Sequence, residues 1–326
     1  MNEYDILIIG GGPIGLACGI EAKKAGYNYV ILEKGTLVNS LFNYPVNMTF
    51  FSTAERLEIG EIPFMTLLPK PKRPEAVEYY RRVTQSFDLN VRLFEKVEAV
   101  EKITEPGTSQ FRVRSSKAVY HARYVIVATG FYDIPSLMNV PGEDLEKVYH
   151  YYKDPSYFAF QKVLVVGGSN SAVDAALECW RKSAEVTIVH RQEGIGPRVK
   201  YWVRPDIINR IAEGSIKAFF NATVAAIRQD EVDIQTTDGI ATIPNDFVIA
   251  MTGYQPNFDF LTATGISLSD DDKLKPFHNT ETMETNVPGL YLAGVVCGGM
   301  ETHLWFIENS REHAVKILAH ITSKPS

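Results

Sequence analysis

The N-terminal stretch alternates between an apolar run, glycines and an amphipathic segment. The run Tyr4–Ile9 is apolar after its first two residues and ends at Gly10. A helical pattern then continues to about Ala25, and a second strand-like run follows at Tyr29–Glu33. This order of strand, glycine turn, helix and strand predicts the opening unit of a parallel sheet.

The same pattern returns in the middle of the chain. The apolar run Lys162–Val166 ends in two glycines, a helical stretch extends to about Lys182, and the run Val186–His190 follows. Two such copies predict an α/β fold of two doubly wound, Rossmann-like nucleotide-binding domains. Three further buried-strand patterns end in glycine, at Tyr124–Gly130, Asp246–Gly253 and Gly289–Gly294. Their order around the second copy indicates that the second domain is inserted into the first.

The first glycine turn carries the spacing of a dinucleotide-binding loop. Gly10 permits a tight turn, Gly12 lets the backbone approach a pyrophosphate, and Gly15 permits close packing of helix and strand. The start of the helix offers free N–H groups to phosphates. Glu33 ends the next strand, where an acidic residue binds ribose hydroxyls. We therefore predict a dinucleotide at this loop.

The second turn predicts a different nucleotide. Its loop comprises Gly167, Gly168, Ser169, Asn170 and Ser171, and Ala172 replaces the third glycine. The strand that follows ends at His190-Arg191, with no acid in the ribose position. Arginine pairs with a 2′-phosphate that a carboxylate would repel, so we predict NADPH rather than NADH. Arg198 and Lys200 either add to this phosphate pocket or form a solvated basic face.

Composition narrows the function classes. The 326 residues suffice for two domains, and the net charge of −6 gives no basic footprint for nucleic acid. No basic run indicates a membrane surface, and the N-terminus lacks the features of a signal peptide. We expect a cytoplasmic protein that binds neither nucleic acid nor membrane. The cysteines are Cys18, Cys179 and Cys297, without Cys-x-x-Cys or zinc-type spacing, so we expect no metal.

At this point a family resemblance is visible. The two glycine loops, Ala128-Thr-Gly130, Met251-Thr-Gly253 and Pro288–Gly294 occur in the order of the thioredoxin reductases. The resemblance implies that residues 1–134 and 254–326 together bind FAD and that residues 135–253 bind NADPH. It also implies a homodimer. The redox Cys-x-x-Cys of that family falls here on His150-Tyr-Tyr-Lys153, which cannot relay electrons as a dithiol.

A closer resemblance is to the YpdA-type bacillithiol disulfide reductases. The segments that carry it are Met48–Thr53, Ala128–Asp133, Val140–Leu145, His150–Tyr152, Asn170–Ala176 and Phe306–Asn309. This resemblance implies that hydride passes from NADPH to FAD and then to a low-molecular-weight disulfide. Studied members have a cysteine inside the first glycine loop, where this chain has Ile14. An aspartate common in the wider group is replaced by Val295.

The resemblance also implies the residues at each cofactor. For FAD they are Gly10, Gly12, Pro13, Ile14, Gly15, Glu33, Lys34, Ser40, Leu41, Asn47, Thr49, Val97, Ala128, Thr129, Gly130, Gly294, Val295, Val296, Thr302 and His303. For NADPH they are Gly167, Gly168, Ser169, Asn170, Ser171, His190, Arg191, Arg198 and Gly253.

Several assignments stay open at this level. Cys297, in the loop before the C-terminal helix, is either a redox thiol activated by that helix or a small residue fitted beside the flavin. Cys18 and Cys179 are expected to be buried and inert. Glu301 and His303 either donate protons or form the polar first turn of a helix.

The electron acceptor is open as well. The alternatives to a disulfide reductase are a ferredoxin- or flavodoxin–NADP reductase, which needs no cysteine pair, and a flavin monooxygenase. The histidine-containing signature of the monooxygenases is missing between the two loops. A non-enzymatic role in NADPH sensing or as a scaffold is the fourth possibility.

Overall fold

The structure is a mixed α/β fold in which strands alternate with helices along most of the chain. A computed structural model describes residues 2–103 and 110–324. The strands are β1 (Glu3–Ile9), β2 (Tyr29–Leu32), β3 (Val91–Arg92), β4 (Val97–Lys102), β5 (Phe111–Ser115), β6 (Val119–Val127), β7 (Ile134–Pro135), β8 (Val148–Tyr149), β9 (Lys162–Val166), β10 (Glu185–His190), β11 (Lys217–Phe220), β12 (Thr223–Ile227), β13 (Glu231–Thr236), β14 (Gly239–Pro244), β15 (Phe247–Ala250), β16 (Tyr254–Gln255) and β17 (Leu290–Leu292). The helices are α1 (Pro13–Lys24), α2 (Asn39–Asn43), α3 (Arg73–Ser86), α4 (Asn170–Arg181), α5 (Arg204–Ala212), α6 (Phe258–Ala263), α7 (Ile307–Ser310) and α8 (Glu312–Ser323).

The chain divides into two compact units. The first comprises the chain up to Phe42, residues from Ser52 to Ile134, and residues from Tyr254 onward. The second comprises Asn43–Phe51 and Pro135–Gly253. The sequence of the second unit is thus inserted into that of the first. The short segment 43–51, which comes earlier in the sequence, also belongs to the second unit. The predicted α/β fold, with one doubly wound unit inserted into another, is confirmed.

The first unit is built on a sheet with strand order β3-β2-β1-β6-β5-β4, and β17 also pairs with β6. Strands β3, β2, β1, β6 and β17 are parallel, whereas β4 and β5 are antiparallel additions. Ile6, Leu7 and Ile8 of β1 are fully buried. Helices cover a parallel sheet on both faces, so its strands are continuously apolar.

The second unit repeats this plan. Its parallel sheet has the order β11-β10-β9-β15-β8, and a separate antiparallel sheet has the order β12-β13-β14. Helix α4 packs on β9 and β10 through a buried face of Ala172, Val173, Ala176 and Leu177. In both units a glycine turn therefore connects a central strand to the helix that covers it.

Segment 43–51 is attached to the second unit by specific contacts. The N–H of Val46 donates to the carbonyl oxygen of Lys153 at 2.9 Å. The rings of Phe51 and Trp202 lie 5.8 Å apart between centroids. Asn47 also forms a side-chain hydrogen bond with Glu178, a largely buried residue of α4. The segment that contains Asn47 and Thr49 therefore belongs to the inserted unit.

Candidate cofactor-binding sites

The first glycine loop has no room for a side chain at two of its three motif glycines. Gly10 has φ +109°, and a Cβ atom there would lie 2.5 Å from the carbonyl oxygen of Ala128. At Gly15 an added Cβ would collide with the carbonyl oxygen of Gly10. At Gly12 no atom lies within 4 Å of such a Cβ. Two of the three glycines are thus required by packing, and the third leaves open space beside the loop.

The start of α1 is free to bind an anion. Pro13 occupies the first helical turn, where its missing N–H is no loss. The N-cap residue Gly12 provides no side-chain hydrogen bond to the turn. Since the first N–H groups of a helix have no partner within it, they can donate to a phosphate. This open, uncapped turn fits the pyrophosphate of a dinucleotide.

Glu33 lies at the end of β2, directly against the glycine loop. One carboxylate oxygen accepts the N–H of Gly11 at 2.7 Å, and the other accepts the N–H of Gly35 at 2.9 Å. Burial raises the pKa of Glu33 above its usual value, while these two hydrogen bonds act in the opposite direction. Each carboxylate oxygen retains lone pairs, so Glu33 can still accept hydroxyl hydrogens from a ribose.

The carboxyl end of the first sheet brings most of the predicted flavin residues together. The N–H of Ala128 donates to Ile9, and the N–H of Ala293 donates to Val127. A Cβ at Gly130 would lie 3.9 Å from Val295, and one at Gly294 would lie 3.3 Å from Ile14. Residues 10–15, 128–130 and 294–296 therefore form one continuous edge.

The other predicted flavin residues lie in separate places. Lys34 forms an ion pair with Asp133 at 2.7 Å. Ser40 and the buried Leu41 lie in α2. Val97 begins β4, two residues beyond Glu95, whose N–H donates to the Glu33 carbonyl oxygen. Asn47 and Thr49 belong to the inserted unit.

The loop after β17 differs from the expected geometry. Glu301 and His303 do not begin a helix, because residues 302–304 form a turn and α7 starts at Ile307. Glu301 pairs with Lys275 and, at 3.4 Å, with Lys273. These pairs lower the pKa of Glu301, the hydrogen bond from Lys275 most strongly. These ion pairs favour the ionised form of Glu301, and the prediction of a helical first turn is wrong.

Cys297 is buried within the short helical turn Gly294–Gly298, with 3% of its surface exposed. Burial raises the pKa of its thiol above the usual value. Burial therefore opposes the predicted activation of this thiol, and a redox role of Cys297 stays a prediction. Cys18 and Cys179 are also buried, as expected, and all three cysteines are free.

His313 holds the same turn, and nothing in the sequence pattern singles it out. Its Nδ1 accepts the N–H of Gly294 at 3.1 Å and lies 3.9 Å from the Cys297 sulfur. Because Nδ1 accepts a hydrogen bond, the ring hydrogen is on Nε2. Burial is the main cause that lowers the pKa of His313 to about 4. A histidine in a helical stretch of ordinary composition gives no signal of this role.

The second glycine loop repeats the tight backbone turn of the first, with a different residue packed against its middle. Gly167 has φ +131°, and a Cβ there would lie 2.6 Å from the Met251 carbonyl oxygen. A Cβ at Gly168 would lie 2.5 Å from the His190 ring, just as one at Gly11 would lie 2.9 Å from Glu33. His190 therefore occupies the place that Glu33 has in the first unit. Burial lowers the pKa of His190, and the nearby Arg191 acts in the same direction.

The rest of the second loop surrounds the start of α4. Ser169 is the N-cap residue without a side-chain cap, Asn170 begins the helix, and Ser171 is exposed. Arg191 and Arg198 are both exposed. Lys200, in contrast, is buried and forms an ion pair with Asp174, so it is not part of a solvated basic face. Gly253, with φ +103°, ends the unit beside Ser136, whose N–H donates to its carbonyl oxygen.

This pair of nucleotide-type sites defines the class of the protein. Residues 7–294 match the model of the pyridine nucleotide-disulphide oxidoreductase family. The chain belongs to this family and is a flavin oxidoreductase. Membership implies a flavin and a nicotinamide cofactor.

Within this family, the chain is more similar to some relatives than to others. The chain is 43% identical over 325 residues to the bacilliredoxin reductase Bdr of Bacillus subtilis, covering 99% of each chain. The solved structure of the bacillithiol disulfide reductase Bdr (YpdA) from Bacillus cereus superimposes with a TM-score of 0.95 at 41% identity, covering 99% of this chain and 100% of that one. A ferredoxin–NADP reductase of Flavobacterium psychrophilum is more distant, at 29% identity over 91% of this chain and 82% of the relative. The resemblance to the YpdA-type proteins is confirmed.

The described residues offer neither a membrane span nor a metal site. Among residues 2–103 and 110–324, no helix is both long and apolar enough to cross a membrane. Over the same described residues, no group of three or more histidine, cysteine or acidic side chains is arranged to hold a metal ion.

Proposed function

We propose that the first unit binds FAD and the second binds NADPH. The support for FAD is the open first glycine loop, together with the Glu33 carboxylate fixed beside it by Gly11 and Gly35. The support for a second nucleotide is the repeated loop at Gly167 and Gly168. When bound, the flavin supplies two-electron chemistry between a nicotinamide and an acceptor.

The preference for NADPH over NADH rests on the exchange at the second loop. The His190 ring occupies the place of an acid that would bind a ribose 2′-hydroxyl, and Arg191 is exposed immediately beyond it. An anionic 2′-phosphate gains a charge-assisted hydrogen bond from arginine. No carboxylate side chain stands at position 190 to repel the phosphate.

The proposed acceptor is a low-molecular-weight disulfide of the bacillithiol type. The observation that carries this proposal is the 43% identity, over nearly the full length, to a bacilliredoxin reductase, together with the similarity to the structure of the bacillithiol disulfide reductase Bdr. The overall reaction balances as NADPH, a proton and one disulfide giving NADP⁺ and two thiols. His-Tyr-Tyr-Lys at 150–153 provides no dithiol relay, so the disulfide meets the flavin directly or through a single thiol.

The residues at the flavin edge then have structural tasks. The turn Gly294–Gly298 is fixed by His313, a neutral imidazole at neutral pH. The edge built from residues 10–15, 128–130 and 294–296 orients the cofactor. Cys297 stays a predicted redox thiol, and its buried state limits the thiolate fraction available for attack on a disulfide.

The test is an anaerobic turnover assay with NADPH and one acceptor at a time. Oxidised bacillithiol, a bacilliredoxin–bacillithiol mixed disulfide, ferredoxin and flavodoxin are compared at equal concentration, with oxygen consumption measured separately. Two thiols should form per NADPH with a bacillithiol-type disulfide, at a kcat/KM at least roughly tenfold above that for the protein carriers. Faster reduction of ferredoxin or flavodoxin would replace this proposal by an electron-transfer function. Rapid, uncoupled oxygen consumption would favour a monooxygenase.

The homodimer implied by the family resemblance stays a prediction. Light scattering of the flavin-loaded protein measures it directly.

A further inference from the structure

Arg198 is an exposed arginine in segment 195–200, whose backbone is held by several contacts. On either side of it, Ile195 and Val199 are buried, with 8% and 4% of their surfaces exposed. The guanidinium of Arg204 donates to the carbonyl oxygens of Ile195 at 3.3 Å and Gly196 at 3.2 Å. The backbone beneath Arg198 is therefore held from both sides while its side chain faces solvent.

The first residue of α4 ties this segment to the glycine loop. The Asn170 carbonyl oxygen Oδ1 accepts the N–H of Lys200 at 2.8 Å. Its Nδ2 donates to the carbonyl oxygen of Arg198 at 3.4 Å. Because Asn170 belongs to the uncapped turn of the second glycine loop, these bonds place the backbone of Arg198 beside that turn.

A buried ion pair completes the attachment. The ammonium group of Lys200 lies 2.6 Å from a carboxylate oxygen of Asp174, one turn further along α4. The two side chains are only 8% and 23% exposed. Breaking a largely buried pair by removing one charge leaves the other unpaired, which is costly. The ammonium group of Lys200 is thus paired with Asp174. Arg198 is the exposed cation of segment 195–200.

We propose that the Asp174–Lys200 pair is a positioning device that sets the preference for a 2′-phosphorylated nicotinamide nucleotide by holding Arg198 at the second glycine loop. The proposal rests on the proposed function, because it assigns the phosphate to this loop. An arginine on a fixed backbone loses less conformational freedom when it binds an anion than one on a loose loop. Asp174 and Lys200 are positioning residues that act through Arg198 without touching the cofactor.

The test is a double variant that removes both charges together. Asp174→Asn with Lys200→Met leaves the net charge unchanged, so the Coulomb field on a phosphate stays nearly the same. Dissociation constants for NADP⁺ and NAD⁺, and for 2′,5′-ADP and 5′-AMP, are measured by calorimetry on the flavin-loaded protein. We expect binding of NADP⁺ and 2′,5′-ADP to weaken roughly fivefold or more, and binding of NAD⁺ and 5′-AMP to change less than about twofold.

A double-mutant cycle tests whether the effect passes through Arg198. In an Arg198→Ala background, the charge-free double variant should change the NADP⁺ dissociation constant by less than about twofold. The matched control is Glu185→Gln with Lys217→Met, which removes an exposed ion pair 3.0 Å long in the same unit. This control should leave all four ligands unaffected. Thermal unfolding of each variant confirms that it is folded.

Three outcomes would overturn the proposal. Unchanged NADP⁺ affinity in the charge-free variant would show that the pair positions nothing, and equal loss for NADP⁺ and NAD⁺ would show a general structural role. Tighter NADP⁺ binding by Asp174→Asn alone would show that Lys200, once released from Asp174, binds the phosphate itself.

If Arg191→Ala and Arg198→Ala each weaken NADP⁺ and NAD⁺ equally, the NADPH assignment itself fails. Loss of selectivity in those two variants, without an effect of the ion pair, defeats only the positioning device.

Discussion

At the scale of single residues, the two units have different side chains packed against equivalent glycine turns. Glu33 directly follows β2 and His190 is the last residue of β10, and each lies against the middle of a glycine turn. The sequence predicted both positions because the glycine spacing and strand length fix the register. It could not predict that Glu33 accepts two backbone N–H groups, or that His313, far along the chain, fixes Gly294. Such contacts depend on how distant segments meet.

Replacing Glu33 by Gln should weaken FAD binding. The amide keeps the shape of the side chain but loses the charge that strengthens hydrogen bonds to ribose hydroxyls and to Gly11 and Gly35. The loss is about 1.5–3 kcal/mol, or roughly 10- to 100-fold in the dissociation constant of FAD. Flavin fluorescence during titration of the apoprotein measures it. Glu98→Gln, at an exposed position of β4, is the control, and equal FAD affinity in both variants would contradict the assignment of Glu33.

His313 should make the protein less stable at acidic pH. Its pKa is about 4 in the folded protein, below its usual value of 6.5, so the unfolded chain binds more protons between these values. The free energy of unfolding should therefore fall as the pH drops from 6.5 to 4, by at most about 3 kcal/mol from this residue. Urea unfolding at several pH values measures the slope.

The non-titrating variant His313→Gln should lack this contribution, while His320→Gln in the same helix should retain it. An identical pH slope in the wild type and His313→Gln would contradict the buried, neutral state of His313.

Replacing all three cysteines should leave reduction of the flavin by NADPH within about twofold of the wild-type rate, because that step needs only the alignment of the two cofactors. Cys297→Ser alone should slow turnover with a disulfide and leave turnover with ferredoxin or flavodoxin unchanged, if the predicted redox role holds. Rapid mixing separates the two half-reactions. Unchanged disulfide turnover in the triple variant would show that electrons pass directly from flavin to substrate.

At the scale of elements, the helices and strands with the strongest apolar patterns were predicted well. Helix α1 ends at Lys24 where a helix to about Ala25 was expected, and α4 ends at Arg181 where one to about Lys182 was expected. The sheet β12-β13-β14 was not predicted, because β13 has only two buried residues, β14 has none, and no glycine turn of the nucleotide type marks these strands. Segment 43–51 joins the inserted unit through bonds to Lys153 and Glu178 that no local pattern reveals.

Arg191, directly after β10, should bind the 2′-phosphate of NADPH. Arg191→Ala is expected to raise the KM for NADPH roughly 10- to 100-fold, since one charge-assisted contact contributes about 1.5–3 kcal/mol. The KM for NADH should change less than about twofold, because NADH has no 2′-phosphate. Arg181→Ala, at the far end of α4, is a control for loss of one positive charge. Equal effects of Arg191→Ala on NADPH and NADH would show that Arg191 does not contact the phosphate.

At the scale of the whole molecule, the two doubly wound units provide two separate nucleotide loops in one chain. This plan suits electron transfer from one dinucleotide cofactor to another. The repeated glycine patterns were sufficient to predict the two-unit plan. The acceptor is harder to read from the sequence, because a missing Cys-x-x-Cys is common to several classes of flavoprotein. The relationship to the Bdr proteins, over nearly the full length, is what favours a disulfide.

The central claim is that electrons pass from NADPH through the flavin to a low-molecular-weight disulfide. It is tested most directly by reducing the FAD-loaded protein anaerobically with one equivalent of NADPH and then mixing it with one equivalent of oxidised bacillithiol. We predict that the absorbance of oxidised flavin returns within the turnover time and that two thiols appear per flavin. A flavin that stays reduced in the presence of the disulfide, yet is reoxidised at once by ferredoxin or flavodoxin, would contradict the claim.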